Sequence, residues 1–522
     1  MVWPSKNITM KQSINKECFL GIDLGTSQVK VIIVNLEGNI VGKSSAGYPT
    51  YASKPGYAEQ DPHKWWESTI QAVRSAVPSA EIEACWIKAI GLSGQTHGTV
   101  LLDSNLNYLR NAITWMDQRS VYETKILEDT VGEEVSRTSG LPIATGFMAP
   151  ILLWIKKNEP KLWEKIYKFI LPKDYIRMKL TGVVATDVTD AGGTLLLNVR
   201  DRQWSEKIFE LLEIPLSIAP PIFESYEVTG RVKKEVALML GIAPETPVCA
   251  GGADHIMAAI GNNLIEMQEA VSIIGTGALI MTPIDIFKID PHKGLHLFPY
   301  VMRDKWILMG AILCGGLCLN WFRQLLSGKI SNIERNFYEL VDKECLEVPP
   351  VPNGLIFLPY LRGERTPHMD PLARGAFVGL TDEHSAIDLA RSTMEGVIFA
   401  LRDCLETFKK NGVNINSLRI SGGGAKSMPW RQMQADILNL PVISVSTEEG
   451  SAYGAAIMAA ASSKKLGSIK EICNKWIKVR ERLLPIEQNV EIYNRAFKIY
   501  QDLYKRLKKN FHAISLIHTH KN

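Results

Sequence analysis

A chain of 522 residues with 46% hydrophobic and 22% charged content has the make-up of a soluble globular protein, long enough to bury large cores without disulfides. Its formal net charge of +4 is small for that length, and the basic residues are scattered apart from Lys505, Arg506, Lys508 and Lys509, so neither nucleic-acid nor membrane binding is indicated. The opening residues are polar without an apolar core, and the eight cysteines form no CxxC pair or metal spacing, which predicts no secretory signal and a cytoplasmic protein with reduced thiols.

The predicted elements begin with a meander, strands over Leu20–Leu24, Val29–Asn35 and Ile40–Ser45, with a hairpin turn at Leu36-Glu37-Gly38-Asn39. Asp61 is a good N-cap and Pro62 suits a first helical turn, so a helix is predicted over His63–Val77. A strand over Ile87–Ser93 runs into the loop Gly94-Gln95-Thr96-His97-Gly98 and a strand over Thr99–Asp103. Apolar residues at helical spacing predict helix from about Ser120 to Lys179. Cys249–His255 follows an apolar strand, and Asp254 opens a helix over Ile256–Ile260. Ala270–Ile284 then repeats the opening motif: apolar strand, Gly275-Thr276-Gly277 turn, second strand. The uncharged run from Trp306 to Phe322 is expected to be a strand and a buried helix. A helix over Ala386–Lys409, a strand over Leu418–Ser421, the turn Gly422-Gly423-Gly424 and a helix over Pro429–Leu438 follow. Repetition of a mixed α/β unit predicts two related domains, 17–260 and 261–510, with an active site between them.

A glycine turn between strands lets backbone N–H groups point at an anion, and threonine adds a hydroxyl. Two such loops suggest a polyphosphate gripped from both sides, and so a phosphotransferase. In the first loop Asp23 is a candidate Mg²⁺ ligand, Gly25, Thr26 and Ser27 would line phosphates, and Lys30 would act as a point charge; the alternative is a hairpin with a capping Asp. Asp254 would accept the proton of an attacking hydroxyl in a sugar kinase, or merely start a helix. The turn Gly423-Gly424-Ala425 can admit an adenine against backbone, although it is not a Walker A loop. Gln95, His97, Trp115 and Asp117 offer the hydroxyl partners and the apolar face a polyol needs.

In this order the segments IDLGTSQVK, AEQDPHKWW, GLSGQTHG, LPKDYIRMKLTG, TDVTDAGGT, AGGADH, LPYLRGERTPHMDPLARGAFVGL and SGGGAKS resemble the FGGY carbohydrate kinases, and within them the bacterial xylulokinases. The resemblance implies two actin-like, ribonuclease-H-like ATPase domains flanking a deep cleft, ATP and Mg²⁺, and a sugar or polyol as partner; a homodimer is compatible with it. It also implies roles. Asp23 matches the metal-associated Asp, and Asp254 the base. Thr26, Ser27 and Lys30 match the first phosphate loop, Gly275 and Thr276 the second, and Gly423, Gly424 and Ala425 the adenosine loop. Gly316 and Asn320 match nucleotide-side positions; Thr96, His97, Trp115 and Asp117 match sugar-side positions. D-xylulose is the first expectation, with another ketose, a polyol or gluconate as alternative, and a non-kinase actin-like ATPase behind both. Departures fall on the sugar side: Thr96 stands where GQMHG is usual, and His255 where the family has a sugar-contacting Asn after the base. The second loop reads IIGTGAL rather than LGTSG, and the Arg-Glu pair of glycerol kinases is absent, which makes glycerol a poor candidate.

Overall fold

Strand Cys18–Leu24, apolar but for Asp23, is buried at every position and lies inside a seven-stranded sheet. The computed structural model describes residues 17–290, 294–327, 333–447 and 449–517. In the first sheet this strand pairs antiparallel with Gln28–Asn35, which pairs antiparallel with Ile40–Gly47; on its other side it runs parallel to Ile87–Gly94. Strands Pro247–Cys249 and Val228–Arg231 extend the sheet, and Gly252–Ala253 pairs with the far end of Ile87–Gly94.

The second seven-stranded sheet repeats this plan. Strands Glu269–Ile274, Ala278–Ile284 and Trp306–Ile312 form the meander. Ser417–Gly422 runs parallel to Glu269–Ile274 and to Val442–Val445. One edge differs from a plain duplicate: His296–Pro299 is added beside Trp306–Ile312, whereas Val479–Leu483, antiparallel to Val442–Val445, repeats Val228–Arg231 beside Pro247–Cys249. The run from Trp306 becomes a strand and the helix Gly316–Ser327, as expected.

Helix Pro62–Ser79 is capped by Asp61, whose Oδ1 accepts from the His63 N–H at 2.8 Å. Helix Ala386–Lys410 begins at a capping box made by Ser385 and Asp388. The expected helical stretch from Ser120 to Lys179 is interrupted: between helices Val121–Ser139, Met148–Asn158, Pro160–Trp163 and Pro172–Thr181 sits strand Lys168–Ile170, antiparallel to Val100–Leu102. The cause is Pro172, which forces Leu171 into extended backbone and supplies a first turn only for the helix after it.

The two sheets are joined by two helices packed on each other, Asp254–Gly261 and Gly450–Ser462. The second follows strands of the second sheet yet lies on the first. Its small residues and two strand glycines allow this: a Cβ on Gly21 would stand 2.2 Å from the Ala452 O, and one on Gly91 1.9 Å from the Ala455 O. One apolar core therefore runs through both halves, containing Phe19, Met257, Tyr453 and Trp476 together with Val271 and Met281. Seven cysteines are buried and Cys85 is exposed, all as free thiols. Among the described residues no helix is long and apolar enough to cross a membrane.

Candidate active site

Strand register brings three distant segments to one level. Asp23 pairs with Ser93, Gly252 with Ser93, and Ala253 with Gly94, so Asp23 and Asp254 emerge at the carboxyl ends of the two strands that flank Ile87–Gly94. Asp23 is 8% exposed, and its Oδ1 accepts from the Ser93 hydroxyl at 2.8 Å. Burial first, then the negative charge of Asp254, pushes the Asp23 carboxyl up to about 6; the Ser93 hydrogen bond and Lys30 oppose this without cancelling it. Asp254 is the more open of the two, with 34% of its side chain exposed. It is the first residue of its helix, and its Oδ1 accepts from the His255 N–H at 2.7 Å.

A buried polar network holds the backbone just before Asp254. The Ala253 N–H donates to Thr189 Oγ1 at 3.1 Å, and the Thr189 hydroxyl donates to Asp187 Oδ2 at 2.6 Å. Ser225 Oγ donates to the same Asp187 oxygen, and the Ser225 carbonyl accepts from the Gly251 N–H. Behind them Lys173, fully buried, lies 2.7 Å from Asp174, 2.9 Å from Asp187 and 3.4 Å from Asp190. Burial disfavours the Lys173 charge, but three carboxylates outweigh it and the ammonium is held protonated. Asp190 goes the other way: burial raises it well above the usual carboxylate range, Lys173 pulls it down, and Asp187, Asp174 and Asp254 push it up again. Neither of its oxygens has a hydrogen-bond partner among the described residues. Sequence reasoning assigned no role to Lys173, Asp187, Thr189, Asp190 or Ser93. The signal was present in LPKDY and TDVTDAGGT, where ionisable residues sit inside runs that otherwise read as core.

The first glycine turn closes through the Gly25 N–H and the Gln28 O at 3.1 Å. Tyr48 and Gln60, also unassigned from sequence, brace it: the Tyr48 hydroxyl donates to the Gly25 O, and Gln60 Nε2 donates to the Thr26 O at 2.8 Å. Trp115 Nε1 donates to Thr26 Oγ1 at 3.2 Å, which leaves the Thr26 hydroxyl proton for another acceptor. Ser27 is exposed. Lys30 stands opposite Asp23 in the antiparallel register, but its Nζ is 3.1 Å from Glu449 of the second half, so it is an ion-pair partner across the molecule rather than a free point charge.

In the second loop Gly275 and Thr276 are exposed, and their carbonyls accept from Gly316, Gly315 and Leu317 at the start of helix Gly316–Ser327. Asn320, one turn along, accepts from Arg323 at 2.9 Å. The turn at Gly423, Gly424 and Ala425 sits beside this loop because Ile274 and Gly422 are register partners. Gly424 has no room for a side chain, since its Cβ would lie 2.8 Å from that of Ile274.

Of the residues expected from sequence on the sugar side, the structure brings some together and withdraws others. Thr96 and His97 face the TDAGGT segment; a Cβ on Gly193 would be 2.7 Å from both Thr96 Oγ1 and His97 Nδ1. His97 Nδ1 donates to the Gly193 O at 2.5 Å, and burial brings its pKa down to about 3, so the ring is neutral with Nε2 as an acceptor. Gln95 is withdrawn: it is 1% exposed and donates to Gln60 Oε1 at 2.7 Å. Asp117 is withdrawn more completely. Its Oδ1 accepts from the Arg119 N–H and Nε, its Oδ2 from the Ala58 N–H and Arg119 Nη2, and it is fully buried. The sequence expectation that Asp117 offers acceptors to a polyol is corrected: its acceptor sites are spent on organising the loop that presents Trp115.

His255 is 6% exposed, its ring centroid is 4.6 Å from that of Phe298, and its Nε2 has no partner among the described residues. An Asn here would present an amide donor and a carbonyl acceptor, where an imidazole presents its two nitrogens from rigid ring positions. His255→Asn is expected to shift the kcat/KM ratio toward D-xylulose over other polyols by roughly threefold to tenfold, the worth of one hydrogen bond. An unchanged ratio, measured on both enzymes, would remove His255 from the acceptor site.

Residues 18–261 match the N-terminal domain, and residues 270–463 the C-terminal domain, of the FGGY family of carbohydrate kinases. A xylulose kinase of Bacillus subtilis is 37% identical over 489 residues, covering 94% of this chain and 97% of that protein. A xyloylose kinase structure from Brucella ovis superposes with a TM-score of 0.87 at 31% identity, covering 94% of this chain and all of its own. A gluconate kinase structure from Lactobacillus acidophilus gives a TM-score of 0.89 at 29% identity, covering 95% of this chain and 99% of its own.

Proposed function

From the premise that the chain belongs to the FGGY family of carbohydrate kinases, we propose that it transfers the γ-phosphoryl group of ATP to a hydroxyl of D-xylulose, giving D-xylulose 5-phosphate. The observation that carries this reading is the placing of Asp254: an open carboxylate at a helix start, across strand Ile87–Gly94 from buried Asp23 and beside His255. The division of labour follows the chain, with a boundary near Gly261. The first half supplies the acceptor site, and the second supplies the loops at Gly275 and Gly423 for nucleotide.

Asp254 takes the proton of the attacking hydroxyl as its oxygen bonds to the γ-phosphorus in line, and the β–γ bridging oxygen leaves with ADP. Exposed N–H groups and hydroxyls of the two glycine turns, including Thr26, Ser27 and Thr276, line the transferring group. Asp23 suits Mg²⁺: its Oδ1 accepts from Ser93 while no side chain or backbone donor among the described residues takes its Oδ2, and Mg²⁺ characteristically takes one or two carboxylates with phosphate and water oxygens. When bound, Mg²⁺ supplies positive charge to the β- and γ-phosphates. Lys30, held by Glu449, contributes to the field at Asp23.

A coupled ADP-release screen over ketopentoses, gluconate, glycerol and other polyols tests the proposal. The expected result is ADP production that requires sugar and is fastest with D-xylulose. Gluconate is the second candidate, supported by the structural likeness to the gluconate kinase. Sugar-independent ADP release would return the chain to the class of actin-like ATPases.

A further inference from the structure

The edge strand His296–Pro299 has no counterpart in the first sheet, and it docks on the other half of the molecule. The Leu297 N–H donates to the Gly140 O at 2.9 Å. A Cβ on Gly192 would lie 2.7 Å from Pro299 and 3.6 Å from the Phe298 ring, so the strand sits against the TDAGGT segment that also receives Thr96 and His97. Side chains alternate along a strand, so His296 and Phe298 share a face. The Phe298 ring is 4.6 Å from His255 and 6.2 Å from His296. That face therefore looks toward the residue following Asp254.

His296 is 2% exposed, and neither ring nitrogen has a partner among the described residues. Buried polar atoms in native proteins are nearly always paired, so two unmade bonds on one ring call for a missing partner. The same neighbourhood leaves His255 Nε2 and Thr96 Oγ1 without a hydrogen-bond partner among the described residues. Burial first, then the charge of Arg365, keeps the His296 ring neutral, able to donate from one nitrogen and accept at the other. Arg365 is tied in through its neighbour: Thr366 donates from its hydroxyl to the Gly294 O at 2.6 Å and from its N–H to the Ala311 O at 3.0 Å.

We infer that His296 is an acceptor-binding residue contributed by the second sheet, whose ring nitrogens hydrogen-bond hydroxyls of the polyol lying between Thr96, His97 and His255. This rests on the reading of that site as the acceptor site. It makes the sugar a ligand of both halves: the N-terminal half carries Asp254, and the edge strand closes the opposite wall.

The test compares His296→Leu and His296→Asn in the full-length protein, using whichever polyol the wild-type enzyme turns over fastest. Acceptor KM and acceptor affinity by calorimetry without ATP are expected to weaken about fivefold to a hundredfold in His296→Leu, the loss of two neutral hydrogen bonds. The Asn variant, which keeps a donor and an acceptor, should recover part of this, and KM for ATP should not move in either. Unchanged acceptor KM and affinity in His296→Leu would overturn the inference. So would equal weakening of acceptor and ATP, or equal loss in both variants accompanied by a lowered Tm, since these mark a structural role. If D-xylulose is not a substrate but another polyol is, the proposed substrate fails while this test proceeds on that polyol. If no polyol is bound or turned over, both fail.

Discussion

Asp254→Asn is expected to reduce turnover by about 10²–10⁴-fold, the usual contribution of a positioned general base, with nucleotide affinity retained. The substitution keeps the shape and the hydrogen bond from the His255 N–H, because an amide oxygen accepts it as a carboxylate oxygen does. It cannot take a proton at neutral pH. The fold should tolerate the change, since the side chain is 34% exposed and the Thr189–Asp187 network grips Ala253 through its backbone. Steady-state kcat, ATP affinity by calorimetry and a melting curve check the three parts. Turnover near that of the wild-type enzyme would reduce Asp254 to a helix-start residue.

Asp23→Asn should depress turnover and, in chelator-treated protein, raise stability. The carboxyl has a reference value of 3.8 and is pushed up to about 6 in the fold. Between those values the native state binds more protons than the unfolded chain, so stability falls as pH rises from about 4 to 6 and the loss persists above. The cost at neutral pH is on the order of 2–3 kcal/mol. An Asn escapes it while still accepting the Ser93 hydroxyl. The variant should therefore melt above the wild-type protein at pH 7.5, with the gap closing toward pH 4. Its Mg²⁺ requirement should rise, because the nucleotide's counter-ion loses a charged ligand. A Mg²⁺ titration that overlays the wild-type curve would discard Asp23 as a metal ligand, and a Tm gap independent of pH would discard the burial argument. A residue whose ionisation destabilises the empty fold is one kept for its chemistry.

What could be read from the chain alone was what local rules govern. The two meanders, their glycine turns, the Asp61 cap and the helix opened by Asp254 follow from period-two apolar runs, from glycine's freedom in turns and from capping preferences, all spanning a few residues. Repetition of one such pattern at Gly25 and Gly275 was enough to expect two related sheets and two loops facing one ligand. Failure began where partners are far apart in sequence. Arg119 lies only two residues from Asp117, but nothing near Asp117 points to Ala58, and nothing near Lys30 points to Glu449. The cluster of Lys173, Asp187 and Asp190 is invisible as a cluster until the helix at Pro172 and the segment at Thr186 fold against each other. The edge strand carrying His296 received no assignment from sequence, because its meaning lies in the face it turns toward His255. Local sequence determines which backbone each segment adopts and which residue types it offers. Only packing decides which buried charges are already paired and which polar atoms are left for a ligand, because burying an ionised group is tolerable only beside its partner, and that partner is supplied by the tertiary fold.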